Sequence, residues 1–332
     1  MKVLVTGATG FLGSHLVDRL LAQGDEVHVL SRKTSNLRWL KDKPLTFHEG
    51  DVTGSLEQIE NAVSKMDIIY HVAGVVQALK EETYFQVNAF GTKQILDACL
   101  RVNPQVKRIV IVTSLAAHGP GTQEGIPAKE SDRNLPVNAY GQSKLEAEKI
   151  AAFYMDKIPI TIIRPPAIYG PRDEQFLSLF KMVQSGIVIL PGLRKKIINA
   201  CHVQDVVSGI ILAALSDKAV GEIFFIGNDK NYSWEEAAVI FSDVIGKKVI
   251  LFSIPSIIVY AAALVADFIS HLTSKLLPLS WDSATNFIQK NWMLDISKAK
   301  ELLEYKPQIS LHAGVENTYH YLLESGTLKK DV

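Results

Sequence analysis

Tyr140-Gly-Gln-Ser-Lys144 places a phenol and an amine four residues apart, and such residues share one face of a helix. A phenol titrates near about 10, whereas acid–base work at neutral pH asks for a group near about 7, a difference of ~4 kcal/mol. A cation on the same face favours the phenolate, so the spacing fits a tyrosine acid–base group tuned by its lysine. A second hydroxyl, Ser114, ends the apolar run Val110-Ile-Val-Thr-Ser. At that strand edge it can polarise a substrate carbonyl or hold the alkoxide. Taken singly, each is ordinary: the pair also reads as a surface helix pair, and the serine as a strand-end turn residue.

A third group binds rather than reacts. Thr6-Gly7-Ala8-Thr9-Gly10-Phe11-Leu12-Gly13 follows an apolar strand and opens a helical pattern. Glycines there let the backbone approach a pyrophosphate, and the N–H groups of the following helix favour the anion. The expected ligand is a nicotinamide dinucleotide, although a lone glycine triplet also reads as a tight strand–helix turn. The next strand ends at Leu30-Ser31-Arg32-Lys33, without the acidic residue that holds an NAD ribose. Ser31 and Arg32 suit a 2′-phosphate instead, so NADP(H) is expected over NAD(H). Asp51-Val52 after the third strand can meet the adenine, and Ala73-Gly74 after the fourth leaves room beside the cofactor; alone, each is more often plain turn or packing chemistry.

These groups need a frame. Seven apolar runs read as strands: Val3–Thr6, Val27–Leu30, Leu45–Glu49, Ile68–Val72, Ile109–Thr113, Ile160–Arg164 and Ile223–Ile226. Near-continuous apolarity fits strands buried on both faces, and helical spacing lies between most of them. Gly24 closes the first helix, and Ser55 with Gln58 fits a capping box for the next. The expectation is an α/β chain: a Rossmann, doubly wound parallel sheet of about seven strands with a smaller, mostly helical C-terminal substrate domain. The nucleotide-binding part takes residues 1–170 plus about 201–227. Residues of about 171–200 and 228–325 form the substrate part, followed by a polar tail.

Composition bounds the rest. The chain has 332 residues, is 47% apolar and carries zero formal net charge, which argues against nucleic acid as partner. Cys99 and Cys201 give neither a disulfide framework nor metal spacing, and a reducing, cytoplasmic setting fits them. The N-terminus does not read as an export signal. Ile254 to Leu279 is the nearest approach to a membrane span, but Asp267, His271 and Lys275 interrupt it, so it reads as an amphipathic helix.

In order along the chain, TGATGFLG (6–13), GDV (50–52), HVAG (71–74), VNAFGT (87–92), TS (113–114), YGQSK (140–144), RPPAIYGP (164–171) and HVQD (202–205) make a specific set. Over nearly its whole length the chain resembles the extended short-chain dehydrogenase/reductases, also called the NAD-dependent epimerase/dehydratase family. Within that family it looks nearest the 3β-hydroxysteroid dehydrogenase-like and flavonol-reductase-like branches. The resemblance implies catalysis by Ser114, Tyr140 and Lys144, a nicotinamide bordered by Pro165, Pro166 and Ile168, and active-site hydrogen bonds tuned by Asn88. It also implies a homodimer through helices beside Tyr140. Two positions depart from the family pattern: His118 stands where a tyrosine is common, and Leu115 where a second serine is. Both put a sugar-nucleotide pocket in doubt.

Three readings follow. The first is a dehydrogenase or reductase moving a hydride to or from a secondary alcohol or ketone. Its substrate would be a small, hydrophobic molecule near Val75, His118 and Arg172, and the 254–279 stretch would meet that substrate, a membrane surface or the core. The second is a nucleotide-sugar epimerase, with dehydratase ranked lower, holding NAD tightly and binding a diphosphate through Arg172, Arg194, Lys195 and Lys196. The third is a cofactor-binding regulator without turnover. No metal is expected in any of them.

Overall fold

The apolar runs become the strands of one parallel sheet in the computed structural model, which describes residues 1–329 apart from 124 and 278. Along the first half of the chain come β1 (Lys2–Thr6), α1 (Phe11–Ala22), β2 (Glu26–Ser31), β3 (Thr46–Glu49), α2 (Leu56–Val63) and β4 (Ile68–His71). A short α3 (Glu81–Tyr84), a π-helical turn (Phe85–Phe90) and α4 (Gly91–Val102) run on without a break. Then follow β5 (Arg108–Val112), α5 (Leu115–His118), α6 (Ala139–Ala152) and β6 (Ile160–Arg164). The second half holds β7 (Ala167–Tyr169), α7 (Leu177–Ser185), β8 (Ile187–Pro191), β9 (Ile197–Ile198), β10 (Ala200–His202), α8 (Val203–Leu215) and β11 (Ile223–Phe225). Last come β12 (Tyr232–Ser233), α9 (Trp234–Ile245), β13 (Ile250–Ile254), α10 (Ser256–Thr273), α11 (Trp281–Ile288), β14 (Asn291–Trp292), α12 (Ser297–Leu303) and α13 (Leu311–Glu324).

The seven-stranded sheet runs β11-β6-β5-β4-β1-β2-β3, all parallel. Strand order therefore reverses between β1 and β4, and the crevice beyond their C-terminal ends is where doubly wound sheets bind ligands. Val3 and Val5 face a core with α1, α8 and α12, while Leu4 and Ile69 face one with α2 and α4. This two-sided burial is why the strands lack an apolar–polar alternation. Each buried Leu or Val is worth about 1.5–3 kcal/mol. Ser55 caps α2 by accepting from the Gln58 N–H; only this forward half of the expected box forms.

A separate core gathers Tyr169, Phe180, Phe241 and Val315 from β7, α7, α9 and α13. Asp205, in the first turn of α8, accepts the backbone N–H groups of Gln308 and Ile309 (both 3.0 Å) and ties the C-terminal return to the sheet. The last residues of the polar tail, 330–332, lie outside the described residues.

The 254–279 stretch differs from expectation. Residue 278 is outside the described residues; the rest forms β13's last residue, α10 and a short link. Helix α10 buries only Val259, Ala263 and Ser270, packed with Ala284 of α11. Ile257, Phe268 and Leu272 are 74%, 65% and 70% exposed. It is neither a core helix nor an amphipathic one with its apolar face inward. Its 18 residues are long and apolar enough to cross a membrane by length and composition.

Candidate active site

The glycine turn shows why its residues are small. Gly7 sits at φ +71°, and a Cβ there would lie 2.6 Å from the Ala73 nitrogen of the neighbouring β4 corner. A Cβ on Gly13 would lie 2.2 Å from the Gly7 carbonyl, so the turn can close on the helix only with glycine there. Gly10 is the N-cap of α1 and makes no side-chain cap, so the first N–H groups of α1 point past the turn without a side-chain partner. That cradle fits a dinucleotide pyrophosphate. Thr9 and Phe11 are partly exposed in the turn, and Leu12 is buried in the core behind it.

Ser31 ends β2, and the exposed Arg32 guanidinium reaches only 3.8 Å from Asp51. Asp51 also accepts from the Thr53 N–H and hydroxyl (both 2.9 Å), while Val52 is buried. These residues meet at the C-terminal ends of β2 and β3, beside the β1 turn.

Beyond β4 a buried network fixes proton positions. Thr92 donates its hydroxyl to the Asn88 carbonyl (2.6 Å), so it must accept from Nε2–H of His71 (3.0 Å). His71 Nδ1 then accepts from the Thr6 hydroxyl (2.8 Å), whose oxygen takes the Ala73 N–H (3.2 Å). Every group is satisfied only with a neutral imidazole, and burial, with the Lys144 charge, pushes His71 down to about 3. Asn88, inside the π-helical turn, accepts from the Val75 N–H (2.9 Å) and donates to the Val75 carbonyl (3.1 Å) and Ser143 hydroxyl (2.9 Å). Val75 is thus held through its backbone. A Cβ on Gly74 would lie 2.8 Å from the Lys144 amine, so Gly74 keeps open the space beside that lysine.

Tyr140, Lys144 and Glu148 form one stripe on α6. Asn138 caps the helix by accepting from the Gly141 N–H (2.9 Å). The Ser114 hydroxyl, itself the cap of α5, lies beside Tyr140. Burial pushes the Tyr140 hydroxyl above the usual phenol range, Ser114 opposes the rise and the Asp282 carboxylate adds to it. The buried Lys144 amine donates to the Val112 carbonyl (3.1 Å). Burial lowers Lys144 to about 8, with Glu148 opposing.

Glu148 is the anchor of the stripe. It takes a two-pronged ion pair from Arg164 (2.9 and 2.5 Å) and the Thr113 hydroxyl (2.6 Å), all buried. This joins α6 to the ends of β5 and β6. Pro165 and Pro166 follow Arg164 and are buried; the Pro165 carbonyl accepts the Leu115 N–H (2.8 Å), and the half-buried Ile168 lies on β7.

Two candidates for the substrate side do not face an open pocket. His118 is 2% exposed, its Nδ1 is bonded to the Gly119 carbonyl (2.8 Å) and its ring lies edge-on to Phe225. Arg172 turns to α1, donating to Ser14 (3.0 Å) and Asp18 (2.7 Å). The Asp18 carboxylate holds its guanidinium away from a diphosphate role. Among the described residues no cluster could hold a metal.

The family model described as NAD dependent epimerase/dehydratase family matches residues 3–227. The chain belongs to this family. It is an enzyme of the extended short-chain dehydrogenase/reductase type. UDP-glucose 4-epimerase of Vibrio cholerae is 27% identical to it, over 98% of this chain and 96% of the relative. Sterol-4-alpha-carboxylate 3-dehydrogenase, decarboxylating, of Candida albicans is 29% identical over 97% and 98%. The crystal structure of UDP-glucuronic acid 4-epimerase from Bacillus cereus, in complex with UDP-glucuronic acid and NAD, superposes with a TM-score of 0.78 at 24% identity, covering 98% and 100%.

Reading the sequence alone overlooked Glu148, the His71–Thr92 pair and Asp282. Glu148 continues the 140–144 spacing by one more turn, and Arg164 opens RPPAIYGP, so a signal existed for that pair. Removing one partner leaves a buried charge uncompensated. Glu148→Ala is therefore expected to lower unfolding stability by about 3–5 kcal/mol, and Glu148→Gln paired with Arg164→Met by less; denaturant midpoints with unchanged slopes decide it.

Proposed function

We propose that this enzyme transfers a hydride between NADP(H) and a secondary alcohol or ketone of lipophilic character. One observation carries the reading: Tyr140, Ser114 and Lys144 converge at the C-terminal edge of the sheet where Gly74 leaves room beside the lysine. The glycine turn would hold the pyrophosphate, Ser31 and Arg32 the 2′-phosphate, Asp51 and Val52 the adenine end, and Lys144 the nicotinamide ribose. Ala73, Pro165, Pro166 and Ile168 would border the nicotinamide, which when bound gives or takes the hydride. Ser114 steadies the substrate oxygen, and Tyr140, kept protonated by its burial, donates a proton to it in reduction. A raised phenol suits that donor role better than the reverse one.

The exposed face of the C-terminal part supports a lipophilic substrate taken from a membrane surface. In the parallel pair β8–β13, Ile187, Ile189, Ile250 and Phe252 point outward while Val188 and Leu190 point in. This face runs into α10, and Arg194, Lys195, Lys248 and Lys275 stand exposed around it. An apolar face with a basic rim fits an anionic bilayer surface. The reading also includes a homodimer through α4 and α6, beside which Phe90 and Phe153 are exposed, and a cytoplasmic location, with Cys99 and Cys201 as buried free thiols.

A second reading, a nucleotide-sugar epimerase, has its own support. A cavity of about 320 Å³ is lined by Arg194, Lys196 and Lys290, with Gly192 and Ser256, and would suit a diphosphate. The dinucleotide recovered with the purified protein separates the two. Tightly held NAD supports the epimerase, and exchangeable NADP(H) the reductase.

Four results are expected. Tyr140→Phe lowers turnover on the substrate found by a carbonyl and alcohol panel by about 10²–10⁴-fold, with dinucleotide affinity kept. In wild type, kcat/KM for the dinucleotide falls as pH rises through about 8, because Lys144, a base lowered by burial, gives up its proton there. Arg32→Ala weakens NADP(H) at least ten-fold and NAD(H) little; equal NADP affinity in both proteins ends the assignment. In flotation assays wild type follows vesicles rich in anionic phospholipid and Ile257→Glu with Phe268→Glu does not; absence of wild type from all vesicles ends the membrane part.

A further inference from the structure

Asp282 opens α11 in the C-terminal part, yet its side chain and carbonyl are spent on the start of the catalytic helix. Its Oδ1 accepts the Ala139 N–H (3.1 Å), and its carbonyl accepts from Asn138 Nδ2 (3.0 Å). The carboxylate also lies close to Tyr84 and to the Tyr140 backbone. Tyr84 stands on α3 with its ring 6.1 Å from the Tyr140 ring, and its oxygen accepts the Ala78 N–H (3.1 Å). Asp282 therefore ties the start of α6 to α11, with Tyr84 of α3 beside it and the 75–80 loop held by Tyr84.

Asn138 already caps α6, so a cap alone does not explain a second acceptor brought from a distant element. Nor is α11 loosely placed. The Trp281 N–H donates to Asp267 of α10 (2.9 Å), and the Trp281 ring lies 4.6 Å from that of Tyr260. The chain of contacts runs from α10 through α11 to Tyr140.

We propose that Asp282 is a positioning residue for the tyrosine, seating the first turn of α6 and Tyr84 against α11 so that the C-terminal part fixes where the Tyr140 hydroxyl stands. This rests on Tyr140 as the acid–base group. Three groups from other elements flank Tyr140: Ser114 from the β5–α5 corner, Tyr84 from α3 and Asp282 from α11; Lys144 stands one turn further along its own helix. Glu81 of α3 in turn faces Asp282. Of these, the Asp282 charge opposes the tyrosinate and keeps the hydroxyl protonated.

The test needs no substrate. Protein labelled with ¹³C at tyrosine Cζ is titrated by NMR, with the Tyr140 signal assigned from Tyr140→Phe. Asp282→Asn keeps an oxygen acceptor and removes the charge. The Tyr140 midpoint is expected to fall by about 1 pH unit, so that its phenolate fraction on the acid limb rises about ten-fold, with an unchanged melting temperature. Asp282→Ala should add a shift of the Tyr140 signal at neutral pH, from lost placement. If Asp282→Asn titrates as wild type does, the proposal is overturned, whether or not Asp282→Ala folds. Full turnover in Tyr140→Phe with an Asp282→Asn shift would instead sink the acid–base reading and leave the placement standing.

Discussion

Everything at the site hangs on a carboxylate and a guanidinium buried between α6 and the sheet. Glu148 and Arg164 meet in two prongs, and Thr113 closes the remaining side of the carboxylate. Taking both charges from water is costly, and only good geometry offsets it. A sliding or rotating α6 would break that geometry at once. The register of the helix against β5 and β6 is fixed, and one and two turns earlier on the same face it delivers Lys144 and Tyr140. The pair serves placement more than stability, which is why a polar core survives where apolar packing would fold as well.

The opposite wall is built by neutral groups. Thr6, His71, Thr92 and Asn88 pass hydrogen bonds in one direction only, from the glycine turn into the π-helical turn. That turn matters because it adds a residue's worth of rotation ahead of α4, so that Asn88 reaches both Val75 and Ser143. A charged histidine would leave Thr6 without its acceptor. The wall therefore holds only while His71 stays neutral, which its burial secures across the physiological range.

Much of this was legible in the residues. Strands buried on both faces read as continuous apolar runs, and the seven expected stretches form one parallel sheet, with the edge strand β3 mostly exposed. The glycine spacing and the Tyr140–Lys144 spacing are local, and local patterns survive folding. What failed was non-local. Arg172 looked available for a phosphate, but Asp18 on α1, distant in sequence, claims it. His118 looked like a pocket residue until Phe225 of the last sheet strand covered it. The polar residues in 254–279 suggested an ordinary amphipathic helix, yet Asp267 turns out to hold α11 and leaves the apolar side uncovered. The Tyr140 hydroxyl is raised first by its burial, and Asp282, far along the chain, adds to the rise; no spacing rule could have found that residue.

Strand β11 carries a consequence for modularity. It pairs with β6 only after the chain has left the sheet, built β7 through β10 and returned by α8. The sheet is thus closed by a segment that lies downstream of the first excursion into the C-terminal part. No single cut separates the two parts: a fragment ending at Gly170 would bare the edge of β6, and one starting there would carry an orphan strand. Exchange of substrate-recognising regions between relatives of this architecture requires at least two crossovers, one on each side of the α8–β11 return. Recombination should therefore respect that return as an indivisible block.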